Sequence, residues 1–386
     1  MTTAPKRIVI LGATGSIGTQ TLDVVRTHPD HFEVVGLTCN ASADLLIDQI
    51  NEFNVPAACL SDMSRATAEW PAICERLPYP EGLEQLAARD DVDIVVVATI
   101  GGDVGFRPTE AALRAGNTVA LASKELLVMG GRLFRDLADS TGAQILPIDS
   151  EHSALWQCLV GEDPGSVRRL ILTASGGPFR ETDAAAIRDA TAEEALKHPN
   201  WVMGPKITTD SASLMNKGFE VIEAHWLFDL PYDRIEVIIH PESVVHSMVE
   251  FHDGSLKAQL GTPDMRHPIQ YALAYPERLD AAHSSLALDE LQQLRFETPD
   301  LERFPLLRAA MDAGRAGGTA PATLCGADDA AVEIFLRGDL RFGEMVDAVL
   351  DAMAATPMRP LDSLDTALDA HREGVEHVRR SLTAAS

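Results

Sequence analysis

The run Arg7-Ile8-Val9-Ile10-Leu11 feeds without a spacer into Gly12-Ala13-Thr14-Gly15-Ser16-Ile17-Gly18, and the residues through Val25 take up helical periodicity. Strand, glycine turn and helix in that order are the context a dinucleotide fingerprint requires. Gly12 permits the tight turn, Gly15 lets the backbone approach a pyrophosphate, and Gly18 allows the helix to pack closely. Backbone N–H groups at the helix start, over Thr14, Ser16 and Ile17, then face the phosphates. The competing reading is a glycine turn with no ligand.

The second strand, Glu33–Thr38, ends in Cys39-Asn40-Ala41-Ser42. No carboxylate stands at its tip to bond an adenosine 2′-hydroxyl, which disfavours NAD. Asn40 and Ser42 can donate to a 2′-phosphate, so NADP is the expected cofactor. Later strands run into Thr99-Ile100-Gly101-Gly102, into Ala122-Ser123-Lys124-Glu125 and into Asp149-Ser150-Glu151. Ligand groups gather beyond the carboxyl ends of strands in an open parallel sheet. A helix-start ion pair is the plain alternative for Lys124-Glu125.

The formal charge is −26, which disfavours partnership with nucleic acid or an anionic membrane. No apolar run is long enough to span a bilayer, and the first residues leave no room for a signal peptide. Five scattered cysteines, odd in number and without a Cys-x-x-Cys pair, point to a reducing cytoplasm. Only six residues are lysine, and Lys124, Lys206 and Lys217 all fall within polar motifs, where they suit an anion.

Those motifs carry the chemistry. Asp149 and Glu151 are two apart, and on an extended segment both carboxylates point the same way with Ser150 opposite. Such a pair calls for a hard divalent cation, with Glu220 the best third ligand; a helix cap is the alternative for Asp149. From Ser213 onward the pattern reads as an amphipathic helix, with Asn216, Glu220 and Glu223 on its polar stripe. Ser211 and Ser213 are placed as caps or anion ligands, and Lys217 reaches the same mouth. Ser175, followed by Gly176 and Gly177, suits a phosphate or a simple turn. His198 to Lys206 reads as a loop in which Trp201 and Met203 either enter the core or close over a ligand.

Taken with Leu146–His152, Ser175–Phe179, His240–Ser247 and Gly261–Arg266, these motifs resemble the 1-deoxy-D-xylulose 5-phosphate reductoisomerase family over nearly the whole chain. The resemblance implies Mg²⁺, Mn²⁺ or Co²⁺ on Asp149, Glu151 and Glu220. It implies the substrate phosphate on Ser175, Ser211, Asn216 and Lys217. Lys124, Ser150 and His198 would line the reacting carbons, Trp201 would cap them from a mobile flap over residues 198–206, and Met203 would join the substrate contacts. Lys124, Asp149, Glu151, His198 and Glu220 are the implied catalytic set. Ser123, Glu125 and Gly204 would add cofactor contacts to those of Gly12–Gly18, Asn40 and Ser42. The implied reaction is a metal-promoted rearrangement followed by reduction with NADPH, giving 2-C-methyl-D-erythritol 4-phosphate for the non-mevalonate isoprenoid route. The implied assembly is a homodimer. Three positions depart from the family pattern: Ser123 stands for Asn, no basic residue lies between Thr38 and Ala43, and Cys325–Asp329 replaces Asn-Ala-Ala-Asn-Glu.

The expected fold class is α/β, with an N-terminal Rossmann-type domain over residues 1–150 and an α+β catalytic domain over 151–275. A linker over 276–303 then leads to a helical C-terminal domain over 304–386. Rival readings are another NADP enzyme, such as a semialdehyde or homoserine dehydrogenase, and a nucleotide sensor without turnover. The first lacks an activated cysteine here; the second has no use for so complete a set of ligands.

Overall fold

The computed structural model describes residues 4–201, 203–281, 285–289 and 291–385. The chain is α/β, with two compact units that are not consecutive in sequence. The first comprises residues 1–123, 134–153 and 264–284; the second comprises 124–133, 154–263 and 285–386. These units differ from the expected chain-order division at residues 124–133, which join the second unit, and at 264–284, which join the first; the rest of the catalytic segment shares one unit with the C-terminal segment.

In the first unit, strands β1 (Lys6–Leu11), β2 (Phe32–Cys39), β3 (Ala57–Leu60), β4 (Glu75–Leu77), β5 (Ile94–Val97), β6 (Thr118–Leu121) and β7 (Ile145–Pro147) form one sheet. Its order is β4-β3-β2-β1-β5-β6-β7, and every pairing is parallel. Ile8 pairs with Val34 on one side and Ile94 on the other. Ile8 to Leu11 and Val95 to Val97 are fully buried, as strands covered on both faces must be. The order reverses beside β1, which puts the ligand crevice beyond the carboxyl ends of β1 and β5. The returning Arg266–Ala274 helix is tied to β1 through Lys6, whose Nζ donates to the carbonyls of Leu273 at 2.8 Å and Tyr275 at 3.0 Å.

The second unit holds β8 (Val167–Ala174), β9 (Ile235–Ile239), β10 (Val245–Phe251) and β11 (Leu256–Leu260) in the order β11-β10-β8-β9. Strands β8 and β9 run parallel, while β10 is antiparallel to β8 and β11. Helices Pro205–Ser213 and Met215–Phe228 belong to the same unit. Its C-terminal part carries helices Pro305–Ala316, Ala320–Leu336, Phe342–Ala355 and Leu364–Ala385. The segment expected to be helical over 304–386 carries these four helices. Ala320–Leu336 is buried on almost every side, as the central helix of a bundle is.

Two glycines let the outermost helix approach that central one at the backbone. A Cβ on Gly326 would stand 1.9 Å from the His371 carbonyl oxygen, and one on Gly374 would stand 2.3 Å from that of Thr323. Neither oxygen can yield without moving a helix. Gly374→Ala is therefore expected to destabilise the chain by about 1–3 kcal/mol, read as a lowered midpoint in thermal denaturation. An unchanged midpoint would show that the helices slide apart freely.

Candidate active site

In the first unit the glycine turn is held from β2. The Gly12 N–H donates to Thr38 Oγ1 at 2.9 Å, the Ala13 N–H to the Thr38 carbonyl at 2.8 Å, and the Thr14 hydroxyl meets Cys39 Sγ at 3.0 Å. Gly12 has φ +90°, and a Cβ there would stand 2.5 Å from the Ala98 carbonyl oxygen. A Cβ on Gly18 would stand 2.3 Å from Gly12 O, whereas one on Gly15 meets nothing closer than 3.4 Å. Gly12 and Gly18 are thus required by crowding, and Gly15 keeps open the approach to the helix start. Gly15 caps Ser16–Thr27 without a side-chain hydrogen bond, and the first turn has no acidic residue. Its N–H groups and positive dipole end suit a pyrophosphate. Asn40 and Ser42 are exposed just past β2, and Ser123 Oγ donates to Thr99 O at 2.6 Å. These residues fit a dinucleotide.

Asp149 and Glu151 are not on an extended segment. Strand β7 ends at Pro147 and a helix opens at Ser150, running to Leu159. The Asp149 carboxylate accepts the Glu151 N–H at 3.2 Å, and its carbonyl accepts the Ser153 N–H at 2.9 Å, so Asp149 caps the helix. The period-2 argument for a shared direction fails there, because a short strand and a helix start look alike over three residues. Both carboxylates instead lie at the positive end of a helix dipole, where anions are favoured. Ser150 Oγ donates to the Glu151 carboxylate, and buried His152 places Nδ1 3.5 Å from Asp149.

In the second unit the helix expected from Ser213 onward is Met215–Phe228, and a separate helix, Pro205–Ser213, precedes it in place of the expected loop and caps. Leu214, with φ +60°, separates the two. Ser211 and Ser213 therefore end the first helix; Ser213 Oγ accepts the Met215 N–H at 3.2 Å. The polar stripe survives on the second. Glu220, 1% exposed, accepts from Asn216 Nδ2 at 2.5 Å and Lys124 Nζ at 2.9 Å on one oxygen. Lys217 Nζ donates to the other. Glu223, one turn on, is buried as well. A set of carboxylate oxygens in each unit, without a thiolate, fits a hard divalent cation.

His198 and Ser175 meet, with Ser175 Oγ 3.0 Å from His198 Nε2. The other ring nitrogen, Nδ1, accepts the backbone N–H groups of Asn200 at 3.2 Å and Trp201 at 3.0 Å. An atom accepting two N–H bonds carries no proton, so Nε2 holds it and donates to Ser175. Ser175 Oγ also accepts the Gly177 N–H at 3.1 Å, which leaves its own hydrogen for a further acceptor. A Cβ on Gly177 would stand 2.6 Å from the Ser211 carbonyl oxygen, so the Ser175 loop lies on the helix end that carries Ser211. Asn200 pins the loop by donating to Pro241 O at 2.6 Å and Ser243 Oγ at 2.8 Å. Trp201 is half-buried, its ring 6.2 Å from that of His246; Met203 is half-buried too. Val202 lies outside the described residues.

One other expectation shifts. Lys206 is helical, and its ammonium meets Asp210, Asp328, Asp329 and Glu125, so it is a buried ion-pair centre instead of an anion ligand. Glu125 faces that same ammonium at 3.9 Å. Gly204 caps the Pro205–Ser213 helix, with open space where a Cβ would be. Sequence reading missed Thr38 and Asn200, whose partners lie 26 and 41 or more residues away. It also missed Arg303, which donates to the carbonyls of Phe179, Arg180 and Thr182 behind the Ser175 loop.

Burial pushes the His198 imidazole down to about 4. A depressed folded value means the neutral ring stabilises the fold above the unfolded value near 6.5, and that contribution is lost as pH falls through about 4. Nitrogen-edited NMR is expected to find the Nε2–H tautomer of His198 unchanged between about pH 7 and 5. A ring that titrates near 6.5 would overturn the assignment.

Family models described as 1-deoxy-D-xylulose 5-phosphate reductoisomerase match residues 8–131, and models of its C-terminal domains match 145–228 and 260–377. The reductoisomerase of Ralstonia nicotianae is 52% identical over 389 residues, covering 98% of each chain. The Zymomonas mobilis enzyme solved with NADPH has a TM-score of 0.90 at 40% identity, covering 98% of this chain and 99% of that one. A further reductoisomerase, solved with NADPH, fosmidomycin and magnesium, has a TM-score of 0.91 at 40% identity over 98% of each chain. The chain belongs to the 1-deoxy-D-xylulose 5-phosphate reductoisomerase family.

Proposed function

We propose that Asp149, Glu151 and Glu220 hold a divalent cation, and that Ser175, Ser211, Asn216 and Lys217 take the phosphate of the substrate. The reaction is the NADPH- and metal-dependent conversion of 1-deoxy-D-xylulose 5-phosphate to 2-C-methyl-D-erythritol 4-phosphate. The observation that carries the residue assignment is Glu220, a buried carboxylate fixed by Lys124, Asn216 and Lys217 at the start of one helix. When bound, the cation supplies Lewis acidity at adjacent substrate oxygens and the nicotinamide supplies hydride.

The chain's own groups do the rest. Lys124, Asn216 and Lys217 orient the Glu220 carboxylate through direct hydrogen bonds. Ser175 offers its hydroxyl hydrogen to a phosphate oxygen because His198 and Gly177 already occupy its lone pairs. His198, neutral, positions that hydroxyl and lines the reacting carbons with Ser150 and Lys124. Trp201 and Met203 cover the site and exclude water. Gly12, Thr14, Gly15, Ser16, Ile17 and Gly18 hold the pyrophosphate; Asn40 and Ser42 take the 2′-phosphate, and Ser123 and Gly204 lie toward the nicotinamide. Among metals, Mn²⁺ and Co²⁺ are read as alternatives to Mg²⁺. We read the protein as a cytoplasmic homodimer that engages neither nucleic acid nor membrane; no described helix is long and apolar enough to cross a bilayer.

NADPH absorbance, followed with this substrate and Mg²⁺ or Mn²⁺, is expected to fall only with metal present and to stop on chelation. Glu220→Gln is expected to abolish that turnover while NADPH affinity, read by fluorescence, stays within about twofold; retained turnover would remove Glu220 from the metal set. Lys217→Ala is expected to raise the KM for the phosphorylated substrate by about ten- to a hundredfold, the loss of one charge-assisted contact of about 1.5–3 kcal/mol. A normal KM in that variant would sink the phosphate assignment.

A further inference from the structure

Beside the Pro205–Ser213 helix, four carboxyl groups surround one ammonium. Lys206 Nζ lies 2.7 Å from Asp210 Oδ2, 2.8 Å from Asp328 Oδ2, 3.3 Å from Asp329 Oδ1 and 3.9 Å from Glu125 Oε1. The other basic group is His371, whose Nε2 stands 2.9 Å from Asp329 Oδ2. Asp329 thus has two basic partners, whereas among the described residues Lys206 is the one cation touching Asp210 and Asp328. The Asp210 and Asp328 side chains are 3% and 1% exposed, so bulk solvent does not reach them.

The atoms point the same way as the charges. Each of these two carboxyls gives one oxygen to Lys206, and the second, Asp210 Oδ1 or Asp328 Oδ1, is buried with no hydrogen-bond partner among the described residues. Two ionised carboxylates can only accept, so neither can satisfy the other. Adding one proton changes both facts together. It removes a charge from a like-charged buried pair, and it makes one carboxyl a donor to the other.

We propose that Asp210 and Asp328 share a single proton, forming an acid–carboxylate pair clamped by Lys206, and that this pair positions the Ser211 hydroxyl for the substrate phosphate. Lys206 and Asp210 lie one turn apart on the Pro205–Ser213 helix, and Asp328 lies on Ala320–Leu336. The pair therefore joins the helix that ends in Ser211 to the most buried helix of the C-terminal part. Because Gly177 packs against the Ser211 carbonyl, the same anchor also sets the Ser175 loop.

Burial, with Asp328 beside it, holds Asp210 well above the ordinary carboxyl range; burial also raises Asp328. Lys206 remains an ammonium, because its four carboxyl neighbours outweigh the burial that opposes its charge. The groups facing the pair are Lys206 from its own helix, Glu125 from Glu125–Thr141, Cys325 and Asp329 from Ala320–Leu336, and His371 from Leu364–Ala385. A raised folded value means the pair's contribution is complete below the unfolded carboxyl value and is lost as pH rises through the raised one.

Infrared spectra of the full chain test the proton directly. A buried carboxylic-acid carbonyl band is expected at about pH 7, fading as pH rises, and absent from Asp328→Asn and Asp210→Asn. No such band in the wild type overturns the shared proton, and this arm stands even if a variant does not fold. The amide introduced by Asp328→Asn donates to Asp210 at every pH, so the wild-type melting temperature is expected to fall relative to that variant between about pH 6 and 9. Parallel melting profiles likewise overturn the pair. The positioning role rests on the reading of Ser211 as a phosphate ligand. Over the same range the KM ratio of wild type to Asp328→Asn is expected to rise about threefold or more, with the kcat ratio constant. A flat KM ratio overturns the positioning role; a normal KM in Ser211→Ala would instead locate the failure in the phosphate reading.

Discussion

The chemical half of this protein depends on one buried carboxylate, that of Glu220, and on the three nitrogen donors that hold it. A carboxylate buried without donors is costly, because its oxygens lose the hydrogen bonds that water gave them. Lys124, 96 residues upstream, and Asn216 and Lys217 on its own helix supply those donors. Removing one partner from a buried ion pair costs about 3–5 kcal/mol, since the remaining charge is stranded. The rotation of the Met215–Phe228 helix is fixed by the same contacts, because Asn216 and Glu220 share a face only while the helix keeps its register. Gly218 helps on the opposite side, where a Cβ would strike that of Ala310 at 2.4 Å. Packing and charge thus specify one orientation together.

What could be read from the chain follows the range of the forces involved. The Gly12–Gly18 turn was legible because its requirement is steric and local: a side chain at Gly12 or Gly18 collides with backbone a few residues or one strand away. Asn216 and Glu220 were legible for the same reason, as an i, i+4 pair on one helix. Asp149 and Glu151 were recognisable as ligand types, but three residues cannot distinguish the last step of a strand from the first turn of a helix. The Pro205–Ser213 helix was not read, and the left-handed Leu214 that separates it from the next helix is not announced, because leucine carries no preference for that conformation. Lys206 was misjudged because Asp328 is 122 residues away, and nothing near Lys206 in sequence announces it. The neutrality of His198 depends on burial and on two backbone N–H groups, neither of which is written locally.

A second theme is the relay of position through hydrogen bonds that never touch a substrate. Ser243 and the Pro241 carbonyl hold Asn200; the Asn200 and Trp201 N–H groups hold His198; His198 holds Ser175. Arg303 braces the same loop from behind through three carbonyls. Each link fixes the donor or acceptor role of the next, so the free valence at the end, the Ser175 hydroxyl hydrogen, has a defined direction. Groups held in this way reorganise little when a ligand arrives, which is where preorganised sites gain over water.

The placement of the lysines has a consequence for the outside of the molecule. Lys124 and Lys217 are buried against the Glu220 carboxylate, Lys206 lies among four carboxyl groups, and Lys6 spends its ammonium on two carbonyls. That leaves Lys197 and Lys257 as the lysines with amines open to solvent, 66% and 47% exposed. Almost every positive charge on the surface is therefore a guanidinium. Reagents that acylate or cross-link primary amines will find two side-chain targets, both on the second unit and neither among the proposed ligands. The folded enzyme can be tethered or labelled through those positions while its own ammonium groups stay out of reach.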